Sequence, residues 1–133
     1  CMILKDDFFT IVQLTEEDNA IRATLKLNLA HRIFDGHFPG QPVVPGVCMV
    51  QMIKEILETA IGKSTMLKQA DYIKFLSVIN PMEEKPVNAL VQYSDKGTEG
   101  IHTIASLHCE ERVCMKLKGV FVLNNTVLLE EEQ

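Results

Sequence analysis

Several features that would define a protein class outright are missing from this chain. No apolar run approaches the ~20 residues needed to cross a bilayer, and the start, Cys1-Met2-Ile3-Leu4-Lys5, is too short to serve as a secretory signal. The expectation is a cytoplasmic protein without a membrane span. Basic residues are not in excess. A net charge of −5 and a pI near 5.3 argue against a general nucleic-acid binder, which needs a basic surface for phosphates. Cys1, Cys48, Cys109 and Cys114 lack the spacing of a metal site and read as reduced thiols. Tryptophan, internal repeats and low-complexity linkers are absent as well. With 133 residues, 47% of them hydrophobic, the chain is long enough for a sizeable core, and one domain over residues 1–133 is expected.

The hydrophobic pattern changes period along the chain. Phe8 to Leu14 reads as a strand and Thr15 to Asn19 as a turn. From Ala20 to Leu29, Ile21, Ala23, Leu25, Leu27 and Leu29 alternate with polar residues, which completes a hairpin. A helix is predicted from Pro45-Gly46 to Gly62, with Val47, Val50, Ile53, Ile56, Leu57, Ala60 and Ile61 on its apolar face. Gln51, Lys54, Glu55 and Glu58 share the other side. Strands follow at Ser64 to Val78, Val87 to Tyr93, Ile101 to Cys109 and Val113 to Leu123. One long helix followed by four antiparallel strands suits an α+β fold with sequential hairpins.

Proline and glycine concentrate just before the helix. Gly36-His37-Phe38-Pro39-Gly40-Gln41-Pro42-Val43-Val44-Pro45-Gly46-Val47 holds three of the five prolines and three of the seven glycines. Proline fixes its own φ and pushes the preceding residue toward extended backbone, so Phe38, Gln41 and Val44 have little freedom. A rigid loop feeding a helix N-terminus suits the binding of a ligand oxygen by main-chain N–H groups. A histidine in such a loop is a candidate proton carrier, since its ordinary pKa lies near ~6.5.

The run from Gly36 to Val47 resembles the signature of the bacterial 3-hydroxyacyl-acyl-carrier-protein dehydratases of type II fatty-acid synthesis, at Gly36 to Gly40, Pro42, Val43, Pro45, Gly46 and Val47. The resemblance implies a hot-dog fold: a curved antiparallel sheet wrapped around one central helix. It implies removal of water from a 3-hydroxyacyl thioester on acyl carrier protein, giving a trans-2-enoyl thioester. His37 falls at the catalytic base, and Gly46 and Val47 at the amides that hold the thioester carbonyl. Phe38, Gly40 and Pro45 fall with them among the substrate-binding residues. No metal or redox cofactor is implied. A homodimer or heterodimer, or a higher oligomer, is.

The chain departs from that family at one important place. The family's second catalytic residue is Glu or Asp, and its position here holds Gln51, an amide that cannot donate a proton as a carboxylic acid does. Loss of a general acid costs ~10²–10⁴-fold in rate. One turn further on, where the family commonly has glutamine, stands Glu55. Residues at i and i+4 share a helix face, so Glu55 is a candidate replacement acid; the alternative is a solvated charge on the polar stripe. Two other functions remain open: an acyl thioesterase on the same fold, and a non-catalytic acyl-binding subunit paired with an acid-bearing partner. Cys48 is expected to pack and not to act as a nucleophile.

Overall fold

The computed structural model describes residues 4–28 and 43–124. Within them the order is β1 (Phe9–Glu17), β2 (Ala20–Leu27), α1 (Gly46–Ile61), β3 (Thr65–Phe75), β4 (Val87–Asp95), β5 (Ile101–Cys109) and β6 (Arg112–Leu123). The β1–β2 turn is Asp18-Asn19, with φ of 53° and 61°. Two successive left-handed residues make the tight hairpin turn whose twist matches the strands, and Asp and Asn tolerate that conformation. The turn is thus two residues long, and the five-residue turn expected from sequence is corrected: Thr15, Glu16 and Glu17 extend β1.

The six strands form one antiparallel sheet in the order β1-β2-β4-β5-β6-β3. Expected sequential hairpins hold for β1–β2, β4–β5 and β5–β6. They fail for β3, which pairs with β6 and leaves β4 to pair with β2. The pleat explains the choice. In register, Ile21, Ala23 and Leu25 of β2 face Val91, Ala89 and Val87 of β4, and all six are buried on one side. β3 is mostly exposed and lies at an edge.

The inner face of the sheet wraps α1, which packs against β2, β3, β4 and β5. This broad enclosure alters the helix face expected from sequence. Ile53, Ile56 and Leu57 are buried as predicted, but Cys48, Met49 and Met52 join them, while Val47 is 73% exposed and Val50 only half-buried. Sheet on several sides gives the helix a wide buried arc, and methionine fills the irregular gaps. The helix ends where glycine predicted. Gly62 adopts φ 72°, and its N–H donates to Glu58 O at 2.8 Å. Just beyond, Thr65 is fully buried; its N–H and hydroxyl both donate to Glu58 Oε2, at 2.5 and 3.2 Å. At the other end, Val44 N–H donates to Ile79 O at 3.0 Å, which ties the helix entry to the chain after β3.

Candidate active site

Pro45 precedes α1 in an extended conformation, φ −61° and ψ 147°, and no side chain caps the helix. The N–H groups of Cys48 and Met49 return to Pro45 O at 3.0 and 3.2 Å. Those of Gly46 and Val47 come before the first helical bond, so the helix itself gives them no acceptor. No acidic residue occupies the first turn. The positive end of the helix dipole is therefore not offset by a carboxylate of that turn.

Glycine at position 46 has a local reason. A Cβ there would lie 2.9 Å from Cζ of Phe75, whose ring covers the helix start. Phe75 is itself 53% exposed. It begins a run of exposed apolar residues, with Leu76 and Val78, at the end of the edge strand. Val47 adds an exposed apolar side chain on the helix. Cys48 points the other way, into the core, where burial pushes its thiol pKa up. The thiol is therefore not an activated nucleophile.

One turn along α1, Gln51 and Glu55 meet. Gln51 Nε2 donates to Glu55 Oε2 at 2.8 Å. Glu55 is 5% exposed, which excludes the solvated-charge alternative. Its carboxylate also accepts from Leu4 N–H at 3.1 and 2.8 Å and from Lys5 N–H at 2.7 Å. No local sequence pattern signals this bond across fifty positions. Lys54 pairs with Glu58 at 3.1 Å, not with Glu55. Lys5, Gln51, Lys54, Glu55, Glu58 and Asn124 line a groove along this side of the helix.

The helix and its N-cap thus assemble five sequence candidates, Pro45, Gly46, Val47, Gln51 and Glu55, along nearly three turns. His37, Phe38 and Gly40 lie outside the described residues. His102 and His108 lie along β5, and His108 meets Ser106 Oγ at 2.7 Å. Phe75 is the neighbour that sequence reasoning missed; it is distant in sequence and carries no motif.

A curved antiparallel sheet around a helix whose open N-terminus follows a Pro-Gly turn is the hot-dog arrangement. Residues 13–114 match the model of the ApeI-like family, described as ApeI dehydratase. The chain belongs to that family of hot-dog dehydratases. Among curated relatives it is 25% identical over 114 residues to a 3-hydroxyacyl-[acyl-carrier-protein] dehydratase FabZ from Caldicellulosiruptor saccharolyticus, covering 77% of this chain and 81% of that one. The solved dehydratase heterocomplex ApeI:P from Xenorhabdus doucetiae shares the fold with a TM-score of 0.72 at 16% identity, over 85% of this chain and 96% of that one. A thioesterase superfamily protein, RHA08564, also shares it, with a TM-score of 0.57 at 21% identity over 82% of this chain and 54% of that one.

Proposed function

We propose that the protein dehydrates 3-hydroxyacyl thioesters carried on acyl carrier protein, giving trans-2-enoyl thioesters. The observation that carries this reading is the start of α1, uncapped among the described residues at Gly46 and Val47, in a sequence where the Gly-His-Phe-Pro-Gly motif comes just before it. The N–H groups of those two residues donate to the thioester carbonyl oxygen and stabilise the charge that develops on it as C2 loses a proton. His37 is the base that takes that proton and, as the imidazolium, gives it to the departing C3 hydroxyl, which leaves as water. Pro45 fixes the approach to the helix, and Phe38 and Gly40 are further substrate-binding residues. Gln51 holds the C3 hydroxyl or a water. Matches to a dehydratase family and to FabZ relatives support the reaction class.

A second reading has its own support. An amide at position 51 leaves the departing hydroxyl without a carboxylic acid from that residue. The solved neighbour is a heterocomplex by its own description. The edge strand β3 and the exposed Val47, Phe75, Leu76 and Val78 offer backbone and apolar surface to a second subunit. In this reading the chain is one hot-dog domain of a cytoplasmic heterodimer whose other subunit brings the acid. Thioesterase neighbours keep hydrolysis as the competing chemistry.

Single-turnover mass spectrometry with a 3-hydroxyacyl carrier protein separates these readings. Loss of water catalysed by the native chain and abolished in His37→Ala is the expected result. Silence in the native chain with water loss gained in Gln51→Glu points to the paired half-site. Release of free acid and thiol identifies a thioesterase. No reaction with any version removes the catalytic reading.

A further inference from the structure

Glu55 falls on the polar side of the helix pattern, yet the structure buries it. It lies between Met52 and Ile56, both without exposure, and is itself 5% exposed. Its two oxygens divide the available donors. Oε1 accepts from Leu4 and Lys5 N–H at 3.1 and 2.7 Å, and Oε2 from Leu4 N–H and Gln51 Nε2, each at 2.8 Å. A carboxylate held by this many donors is fixed in place. In all four of these bonds Glu55 is the acceptor.

The same geometry decides the orientation of Gln51. An amide has a donor end and an acceptor end, and an ionised carboxylate can only accept. The NH₂ end of Gln51 must therefore face Glu55, and the carbonyl end is turned away from it. We propose that Glu55 is a positioning residue: it sets the amide of Gln51 in one orientation and anchors that setting to the main chain at Leu4 and Lys5. This replaces the sequence-derived expectation of Glu55 as an acid. It rests on the dehydratase reading for its catalytic meaning. A substrate hydroxyl that meets Gln51 donates to it and turns its lone pairs, the part to be protonated, elsewhere.

Two measurements on the full chain test this, and the first needs no activity. In the native protein the side-chain NH₂ of Gln51 should exchange with solvent at least tenfold more slowly than that of the exposed Gln92, and Glu55→Ala should remove that protection. Equal exchange for Gln51 and Gln92 in the native chain overturns the proposal, even if the alanine variant does not fold. The second is turnover of a 3-hydroxyacyl carrier thioester by Glu55→Gln, which still offers a carbonyl oxygen to Leu4 and Lys5. We expect kcat to fall about tenfold, as for a misoriented group, and the pH limbs of kcat to stay in place. Lys5, Asp6, Lys54 and Glu58 line the same groove and remain in that variant. Loss of a limb would identify Glu55 as the acid and overturn the proposal. Because Gln51→Glu by itself introduces a carboxylic acid, the double change Gln51→Glu with Glu55→Gln is compared with Gln51→Glu alone, and Glu55→Gln should be less harmful in that background than in the native one. Strictly additive effects count against the pairing. If the native chain dehydrates no 3-hydroxyacyl thioester, the dehydratase reading fails, and the exchange comparison alone decides whether Glu55 positions Gln51.

Discussion

From Met52 onward α1 is enclosed. Met52, Ile53, Ile56 and Leu57 have no exposure, Gly62 closes the last turn, and Glu58 binds Thr65 across to β3. From Gly46 to Gln51 the same helix is built differently. Val47 is 73% exposed, no side chain caps the first turn, and the ring over Gly46 belongs to a half-exposed Phe75. One half has its polar groups paired and its apolar groups buried. The other buries Cys48 and Met49 but leaves Val47 exposed, and its Gly46 and Val47 N–H groups precede the first helical bond. More of the fully buried apolar surface of the helix therefore lies in the second half, and its exposed large apolar side chain, Val47, in the first.

The sharpest way to break this comparison is to truncate one side chain from each half. Leu57→Ala removes a fully buried side chain under the wrapped sheet and should cost ~2–5 kcal/mol. Val47→Ala should change stability by no more than ~0.5 kcal/mol. Denaturant unfolding of both variants gives the answer. Comparable losses would mean that the open half is part of the core after all.

Two glycines offer the next test. A Cβ at Gly119 would lie 2.4 Å from Gln69 O and 3.2 Å from Ala70 Cα, main-chain atoms of β3 that cannot step aside alone. Gly119→Ala should displace the edge strand at a cost of ~1–3 kcal/mol, the usual range for overpacking. At Gly46 the clash is with the tip of the Phe75 ring, which is free to swing into solvent. Gly46→Ala should therefore cost less than ~1 kcal/mol in unfolding. If the first turn binds the thioester, it should nonetheless impair turnover. A stability loss equal to that of Gly119→Ala would show that the Phe75 ring is pinned, and the helix start closed.

A smaller effect probes the lock at the enclosed end. Thr65→Val keeps the main-chain bond to Glu58 and removes only the hydroxyl bond at 3.2 Å. A loss of ~1 kcal/mol in chemical unfolding is expected.

Local rules recovered much of the fold. Pro45 and Gly62 bracket α1 because each acts through its own backbone, and β5 alternates strictly enough that both its ends were readable. What stayed hidden depends on distant partners. Polar edge residues such as Glu16 and Glu17 join β1 only because β2 is there to pair with them. The placement of β3 beside β6 is set by how the sheet closes around the helix, not by any residue in β3. Within the site, Gln51 and Glu55 were legible as a pair from helical spacing. The role of Glu55 was not, because Leu4 and Lys5 act through main-chain atoms that every residue type has.

The smallest prediction uses the outer sheet as a control for the helix. Tyr93 Oη donates to Glu16 Oε2, joining β4 to β1, and this bond, with burial adding to it, holds the phenol pKa up to about 12. In the unfolded chain a tyrosine ionises near ~10. Between those values the folded state keeps a proton that the unfolded state has lost, so the contribution is complete below pH ~10 and disappears as the pH rises through about 12. An ultraviolet titration should show a phenol ionising near about 12 that returns toward the ordinary range in Glu16→Gln. Unfolding measured across the same interval should lose part of its alkaline decline in that variant. Variants of Val47 and Leu57 should leave the titration where it is, because neither residue takes part in the Tyr93–Glu16 bond. A shift in the Leu57 variant would mean that the enclosed half of α1 controls the sheet edge as well as the core.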